Sequence, residues 1–431
     1  MKILLLGGGA REHAIAWALK KSAKIEALDA APGNPGIARI ARCHDIDPCD
    51  PEDVLYLVER IKADHVVVGP EAPLVAGVAD ALRKRGIPVF GPGMLGARLE
   101  GSKAFSKQFM KRHGIPTAPF DIVTNMEDAE RALGSRKAPY VVKADGLAAG
   151  KGAFLPETLE EALGVCRSLL IEGALGEAGK VVVIEDFLPG TEITILAVTD
   201  GRTVRLLPTS QDHKRAFDGD MGPNTGGMGA YCPVPWADAS FLEIISETIL
   251  KPTVRGLAAD KIDFCGVIYA GLMIDSDKNC RVLEYNVRLG DPEAQVVLAA
   301  FPGDWAEVVE ACCAGSLDSV SWGQPADSAV GIVLASGGYP GKYGKGHQVL
   351  GIDLAEAMEG ILVFQAGTLM DPNLGLLTSG GRVLTVVGKG ATLAVAKAKA
   401  YEAVSKIVFA DAFYRTDIAA KAGLSPWPAH P

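Results

Sequence analysis

The chain has 431 residues, which predicts about two to four domains with buried cores. Its 48% hydrophobic and 22% charged residues are typical of a folded protein and exclude a largely disordered one. The formal net charge of −9 disfavours a nucleic-acid-binding protein, which is usually basic. An anionic substrate would therefore need local clusters of cations or helix N-termini.

The cysteine pattern and the apolar runs bear on the compartment. The eight cysteines form no CxxC pair and have no histidine at ligand spacing, which argues against zinc and fits a reducing cytosol. The first apolar run, Ile3–Leu6, is too short for a signal peptide, and no run approaches the ~20 residues of a spanning helix. We expect a cytoplasmic monomer with small-molecule substrates and with neither a nucleic-acid nor a membrane partner.

Strands and helices alternate in the first hundred residues. The predicted strands are Lys2–Leu6, Ile25–Ala30, His65–Val68 and Pro88–Phe90, with helices at Arg11–Lys21, Pro51–Lys62 and Val75–Arg85. This alternation predicts a doubly wound parallel sheet. Ligands of such sheets lie at the carboxyl ends of the strands, where Gly9, Asn34 and Glu71 would gather.

A dinucleotide site at the first turn is a weaker alternative. Gly7 and Gly9 occupy the first two positions of a GxGxxG motif, but Glu12 occupies the third. Its side chain would obstruct close helix–strand packing and place a negative charge beside a pyrophosphate. The helix start, with Arg11 and His13, still suits a single phosphate.

A second domain is predicted to begin after residue 101 with a basic helix over Lys103–His113. The strand Tyr140–Lys143 leads into a loop with three glycines and a further lysine, Gly146, Gly150, Gly152 and Lys151. Its backbone amides and the two lysines could bind phosphate oxygens, although the spacing is not that of a Walker A loop. A flexible hairpin explains this loop, taken alone, equally well.

The strand predicted at Val181–Ile184 runs into an acidic and then apolar segment. Its edge could bind a purine, with Glu185 and Glu192 holding the amino group and the ribose. An ordinary strand connection is the alternative, and it is the better explanation of the segment taken alone.

A charged cluster, Gln211–Arg215, is followed by a stretch predicted to be irregular, Asp218–Tyr231. A loop of this length is either functional or disordered, and its glycines favour a site for a zwitterion or a phosphate. His213 is a poor general base because Lys214 and Arg215 flank it, so we interpret it as a hydrogen-bonding neighbour.

The strand that begins near Val282 carries Glu284 and Asn286, which project from one face because they are two residues apart. A carboxylate and an amide oxygen are hard ligands suited to magnesium held with nucleotide phosphates. An edge strand with a solvated polar face is the alternative.

The order of these features resembles the ATP-grasp ligases. The more specific motifs resemble the phosphoribosylamine–glycine ligase family: GGGAREH at 7–13, GPEAPL at 69–74, EGSKAFSK at 100–107, KADGLAAGKG at 143–152, SQDHKR at 210–215, GPNTGGMGAY at 222–231 and RLGDPEAQ at 288–295. Further matches at 335–341 and 379–384 extend the resemblance over essentially the whole chain.

The resemblance implies an α/β fold that is α+β in the grasp region. It implies an N-terminal Rossmann-like domain at 1–101, an ATP-grasp domain at 102–328 with a lid subdomain at about 121–190, and a small C-terminal α/β domain at 329–431.

The resemblance also implies the ligand sites. The residues implied for ATP are Lys103, Lys143, Gly146, Gly150, Lys151, Gly152, Glu185, Phe187, Leu188 and Glu192. Glu284 and Asn286 would bind Mg²⁺, with Mn²⁺ as an alternative. Met273 stands near the place where many relatives carry another metal-binding acid, which leaves the number of ions open.

The implied reaction joins glycine to 5-phosphoribosylamine through glycyl phosphate, giving glycinamide ribonucleotide, ADP and phosphate for purine biosynthesis. Arg288 would stabilise the phosphoryl group and Asp212 would anchor the glycine ammonium. The other implied substrate residues are Lys214, Gly9, Arg11, Asn34, Glu71, Thr225, Gly227 and Met228. The alternatives are an ATP-grasp enzyme acting on another carboxylate, such as a biotin-carboxylase-like enzyme, and a nucleotide-binding regulatory module.

Overall fold

The structure is a computed structural model that describes residues 1–147 and 152–423. The loop residues Gly150 and Lys151 lie outside the described residues. Within the described ranges, no helix has both the length and the apolar composition needed to cross a membrane.

The N-terminal region is a five-stranded parallel sheet with the order β3-β2-β1-β4-β5. Its elements are β1 Lys2–Gly7, α1 Ala10–Lys20, β2 Ala27–Pro32, β3 Arg42–Cys43, α2 Pro51–Ile61, β4 His65–Val68, α3 Glu71–Val75, α4 Val78–Lys84, β5 Val89–Phe90 and α5 Met94–Gly101. Leu4, Leu5 and Leu6 are wholly buried, as expected for a parallel strand covered on both faces. The predicted doubly wound sheet is confirmed.

The lid region that follows is an antiparallel sheet with the order β6-β9-β7-β8 and two helices. Its elements, after α6 Lys103–Arg112, are β6 Phe120–Val123, α7 Met126–Gly134, β7 Tyr140–Ala144, β8 Ala153–Phe154, α8 Leu159–Leu170 and β9 Val182–Asp186. Leu133, Val142 and Leu169 belong to a hydrophobic core separate from those of the rest of the chain.

The central region contains a second antiparallel sheet with the order β11-β10-β16-β17. Its elements are β10 Thr191–Thr199, β11 Val204–Leu206, β12 Gln211–Asp212, β13 Arg215–Phe217, β14 Met221–Asn224, β15 Gly229–Cys232, α9 Ala239–Ile245, α10 Lys251–Ala259, β16 Gly266–Ile274, β17 Cys280–Asn286, α11 Glu293–Ala300 and α12 Trp305–Ala314. The prediction of an irregular stretch over 218–231 is wrong, because β14 pairs with β13 in a hairpin and β15 enters a buried sheet.

The C-terminal elements are β18 Ser328–Ala335, α13 Ile352–Glu356, β19 Ile361–Gln365, β20 Thr368–Asp371, β21 Gly375–Thr378, β22 Arg382–Gly390 and α14 Leu393–Val404. Three of these strands join two central ones in a single sheet with the order β12-β15-β18-β22-β19. The wholly buried helix α11 packs between this sheet and α1. The C-terminal region therefore supports the strands beside the charged cluster, and the predicted boundary at 329 stays a prediction.

The separate lid core generates a stability prediction. Leu133→Ala should cost about 2–5 kcal/mol of local stability, because it leaves a cavity beneath α7. Hydrogen exchange should show lost protection confined to residues 120–186, since that core is separate. Leu4→Ala, in the hydrophobic core that runs through the N-terminal, central and C-terminal regions, is the matched control. Loss of protection throughout the chain in Leu133→Ala would contradict a separately stable lid.

Candidate functional site

The cleft between the lid and the central sheet contains Lys103, Lys143, Glu284 and Asn286. Lys103 begins α6, and Asp145 fixes this start: its carboxylate accepts from Ser102 Oγ at 3.0 Å and from the Ala104 amide at 2.6 Å. Lys143 lies on β7 of the lid, and its Nζ donates to the Leu283 carbonyl of β17 at 3.4 Å. Both lysines lie close enough to Glu284 to favour its charged form. The structure thus brings both lysines close to Glu284, and Asn286 projects from the same face of β17 as Glu284.

A bulge in β17 gives Glu284 and Asn286 their orientation. The pairing with β16 shifts between Val282 and Glu284, which makes Leu283 an extra residue. Val282 and Tyr285 are therefore both buried, whereas Glu284 and Asn286 are only half-buried. The two oxygen-bearing side chains remain accessible from the cleft.

Glu284 and Lys103 are charged groups without a close partner. Among the described residues, neither the Glu284 carboxylate nor Lys103 Nζ has a hydrogen bond or an ion pair within 4.0 Å. Burial would raise the pKa of Glu284, but Lys214, Lys143 and Lys103 outweigh it and lower that pKa. Burial lowers the pKa of Lys103 despite Glu284 nearby. Partly buried charges without a partner are costly, so this pair is suited to a ligand with both signs of charge.

The donor set of the cleft fits a magnesium ion that also binds phosphates. Glu284 and Asn286 supply hard oxygens, but no cluster of three or more His, Cys, Asp or Glu residues able to hold a metal occurs among residues 1–147 and 152–423. On the neighbouring strand, Gly271 lies opposite Glu284 and Met273 lies opposite Arg281. That Met273 stands near the place of a further metal-binding acid in relatives stays a prediction.

The sequence analysis missed Lys107, a buried lysine behind the phosphate end of the cleft. Lys107 Nζ lies 2.8 Å from one oxygen of Glu185, and Lys143 Nζ lies 3.0 Å from the other. Burial lowers the pKa of Lys107 to about 8, although the negative charge of Glu185 acts to raise it. Both oxygens of the Glu185 carboxylate are thus paired with lysines. The EGSKAFSK motif contained the missed residue.

Arg288 belongs to a network that joins the N-terminal region to the central sheet. Its Nε lies 3.2 Å from Glu71, and its Nη2 lies 2.7 Å from Glu100 and 3.4 Å from Asn286 Oδ1. Glu100, which the sequence analysis also missed, further accepts the Val287 amide at 2.9 Å. Nη1 donates to the Leu289 carbonyl at 3.2 Å. Because protein groups take most of its donors, Arg288 is held rigidly beside Asn286.

A second charged group lies on β12 and just after it. Lys214 Nζ is 2.8 Å from the Glu192 carboxylate. Burial, with Glu293 and Glu192 nearby, raises the pKa of Asp212 to about 7 against the opposing charge of Lys214. Glu293 is itself buried and receives a hydrogen bond from Thr194 at 3.3 Å. This group can hold a cation beside Lys214.

The remaining residues predicted to bind ATP differ in their contacts and in their exposure. The Gly146 amide donates to Ala178 at 3.4 Å, and a side chain there would meet Ala178 at 2.7 Å, so Gly146 serves the packing of the lid. The Gly152 carbonyl accepts from Ala144 at 2.8 Å. Phe187 is 41% exposed, whereas Leu188 is buried.

Glu12 stabilises the turn after β1, whereas its side chain was expected to obstruct close helix–strand packing. The Glu12 carboxylate accepts from the Gly9 amide at 2.7 Å and from Arg11 Nε at 2.6 Å. The space that side chains at Gly7 and Gly69 would need is occupied by Glu12. The missing third glycine therefore reflects a packing role for this carboxylate.

Three further predicted residues have clear contacts in the N-terminal region. The Asn34 amide donates to Gly8 at 2.9 Å and to Gln365 at 2.7 Å, so it ties the turn to β19. Arg11 donates to the Leu289 carbonyl at 3.3 Å and lies 3.8 Å from Glu71. Arg11 and Glu71 thus adjoin the Arg288 network.

The glycine segment after β14 contacts the charged cluster through its backbone. Thr225 donates to the Lys214 carbonyl through both its amide, at 2.7 Å, and its hydroxyl, at 2.8 Å. Gly227 packs against Pro292, which a side chain would meet at 2.4 Å. Met228 is wholly buried and offers no surface to a substrate in this conformation. His213 accepts from the Ala419 amide at 3.3 Å, which agrees with a hydrogen-bonding role.

An open cavity of about 470 Å³ separates the lid from the β13–β14 hairpin. Phe154 and Glu161 line its lid side, and Arg215 and Asn224 line the opposite side. The lid therefore has room to approach the hairpin.

Comparison with known proteins identifies the family. Residues 1–100, 101–294 and 329–421 match the N domain, the ATP-grasp (A) domain and the C domain of phosphoribosylglycinamide synthetase. A phosphoribosylamine–glycine ligase from Allochromatium vinosum is 46% identical over 431 residues, with 98% of this chain and 99% of the relative covered.

Solved structures agree with this assignment. A phosphoribosylamine–glycine ligase from Thermotoga maritima superposes with a TM-score of 0.86 at 36% identity, covering 97% of this chain and 100% of that one. The biotin carboxylase domain of 2-oxoglutarate carboxylase from Hydrogenobacter thermophilus, in complex with MgADP and bicarbonate, shares the fold, with a TM-score of 0.74 at 17% identity; 96% and 91% of the two chains are covered. The predicted resemblance and fold class are confirmed: this chain belongs to the phosphoribosylglycinamide synthetase family.

Proposed function

We propose that this protein is an ATP-dependent ligase that joins glycine to 5-phosphoribosylamine, giving glycinamide ribonucleotide, ADP and phosphate in purine biosynthesis. The observation that carries the proposal is the cleft in which Lys103 and Lys143 lie close to the Glu284 carboxylate, with Asn286 two residues further along β17. Such a cleft suits a triphosphate with a divalent cation. The family relationship supports the glycine and phosphoribosylamine substrates.

The nucleotide would lie between the lid and β17. Lys103 and Lys143 would neutralise phosphate charge, and the backbone near Glu185 together with buried Leu188 would receive the adenine. Glu192 remains a candidate for the ribose. Glu284 and Asn286 would hold Mg²⁺, or Mn²⁺ in its place, which when bound supplies charge neutralisation at the phosphates.

The chemistry requires activation of a carboxylate. An oxygen of glycine's carboxylate attacks the γ-phosphorus of ATP, and the bond from that phosphorus to the bridging oxygen of ADP breaks. The amine nitrogen of phosphoribosylamine then attacks the carbonyl carbon of glycyl phosphate, and inorganic phosphate leaves with the C–O bond electrons while the amine loses a proton. These steps need alignment and positive charge more than a protein nucleophile. Arg288, with its position fixed by Glu71 and Glu100, would supply charge beside the transferring phosphoryl group.

Asp212 would bind the glycine ammonium, and Lys214 would lie next to the carboxylate end. Gly9, Arg11, Asn34 and Glu71 would form the ribose-phosphate end, where the turn after β1 faces the Arg288 network. Thr225 and Gly227 would shape the substrate pocket through their backbone. Approach of the lid toward the β13–β14 hairpin would exclude water from the acyl phosphate. We further propose that the protein works as a cytoplasmic monomer.

The function is tested by measuring ADP release with glycine alone, phosphoribosylamine alone, and both together. Full turnover is expected only with both, because the acyl phosphate needs its amine acceptor. Bicarbonate-dependent ADP release without glycine would instead indicate a carboxylase. Nucleotide binding without ADP release under every condition would indicate a regulatory module.

The position of Asp212 predicts how glycine binding depends on pH. Because burial raises the pKa of Asp212 to about 7, the carboxylate is protonated below that pH and loses its attraction for an ammonium group. The KM for glycine should therefore rise by up to about tenfold per pH unit below 7, while the KM for ATP changes little. Asp212→Asn should raise the KM for glycine at every pH and remove this acid limb. A pH-independent KM for glycine in the unaltered protein would contradict the assignment.

A further inference from the structure

Arg382, the first residue of β22, reaches out of the C-terminal region into the site. Its Nη1 donates to the Gly226 carbonyl at 2.7 Å, to the Asp291 carbonyl at 2.8 Å and, more weakly, to the Gly227 carbonyl at 3.4 Å. Its Nη2 lies 3.0 Å from the Asp291 carboxylate. One guanidinium therefore holds acceptors from two glycine-containing segments.

Each of these segments is attached to a residue of the proposed site. The Gly226 segment is anchored on the Lys214 carbonyl through Thr225. Asp291 lies three residues after Arg288, in the 290–292 turn. Its carboxylate also accepts a hydrogen bond from Gln295 at 2.8 Å. The two segments touch where Gly227 meets Pro292.

Without Arg382, this contact would be repulsive. Three carbonyl oxygens and the Asp291 carboxylate converge on the guanidinium. All four groups are hydrogen-bond acceptors, so they cannot satisfy one another once the donors of the arginine are removed. The side chains of Arg382 and Asp291 are only 22% and 21% exposed, so water screens them partially. Lysine would keep the charge but not the planar fork that serves two segments at once.

We propose that Arg382 is a positioning residue for the reaction proposed above: it holds the 225–227 segment against the 290–292 turn and so fixes Lys214 relative to Arg288. The inference rests on the proposed function for its kinetic consequences, whereas the positioning itself can be measured without turnover. Tyr339 supports the same segment, since its hydroxyl accepts the Gly226 amide at 3.0 Å.

The test compares Arg382→Ala and Arg382→Lys with Lys389→Ala. Lys389 lies on the same strand, pairs with Asp327 at 3.2 Å at the surface and serves as the control. Arg382→Ala should lower kcat/KM for glycine by about 100-fold, because small misplacements of reacting groups have effects of this size. The KM for ATP should stay within about twofold. Added guanidinium ion should restore part of the activity of Arg382→Ala, and Arg382→Lys should restore little.

A second readout needs no substrate. The amides of residues 225–228 should exchange faster in Arg382→Ala, while those of the lid and of the N-terminal sheet keep their protection. Any one of three results would overturn the inference. These are equal losses of kcat/KM for glycine and for ATP, no rescue of activity by guanidinium, and unchanged hydrogen exchange at residues 225–228. If the unaltered protein released no ADP with both substrates, the proposed function would fail, and the exchange measurement would still decide the positioning role.

Discussion

The site depends on the unequal pairing of buried charges. Glu185 pairs with Lys107 and Lys143, and Arg288 pairs with Glu71 and Glu100. Glu284 and Lys103 are left without close partners among the described residues. Ionised groups in such surroundings lower their free energy by binding opposite charge, so the fold reserves one anionic and one cationic position for a ligand. A metal–triphosphate complex carries both.

Three arginines, one each from the N-terminal, central and C-terminal regions, gather at the 288–292 turn. Arg11 reaches the Leu289 carbonyl from the N-terminal region, Arg288 lies within the turn, and Arg382 holds Asp291 from the C-terminal region. The buried helix α11 follows this turn and packs between α1 and the C-terminal sheet. The relative positions of the three regions are therefore set at the site itself, which explains why packing far from the chemistry can affect it.

Sequence patterns predicted the elements well where their causes are local. The strand His65–Val68 was placed correctly because a β-branched run between polar turns has few alternative structures. The spacing of Glu284 and Asn286 predicted that both side chains project from one face of a strand, and the pairing with β16 places them so. The bulge at Leu283 could not be predicted from the local pattern, since it arises from pairing with β16.

The residues that the sequence analysis missed act through distant partners. Glu100 meets Arg288 across 188 residues, and Arg382 reaches Gly226 across 156. Nothing in the local pattern around Lys107 separates it from the exposed Lys111 of the same helix. The error over residues 218–231 has a similar cause, because β15 is a strand through its pairing with β12 and with the distant β18. Glycine-rich composition indicated a loop, whereas the tertiary structure uses the glycines for close approach of backbones.

The central claim, that Glu284 and Asn286 hold a metal against phosphates bound by Lys103 and Lys143, is most directly tested by electron paramagnetic resonance of Mn²⁺ bound in the presence of ADP. Glu284→Gln should weaken Mn²⁺ binding by about 10- to 100-fold while metal-free nucleotide binding is kept. Asp275→Asn, in the turn between β16 and β17, should bind Mn²⁺ like the unaltered protein. Equally tight Mn²⁺ binding by Glu284→Gln would contradict the account.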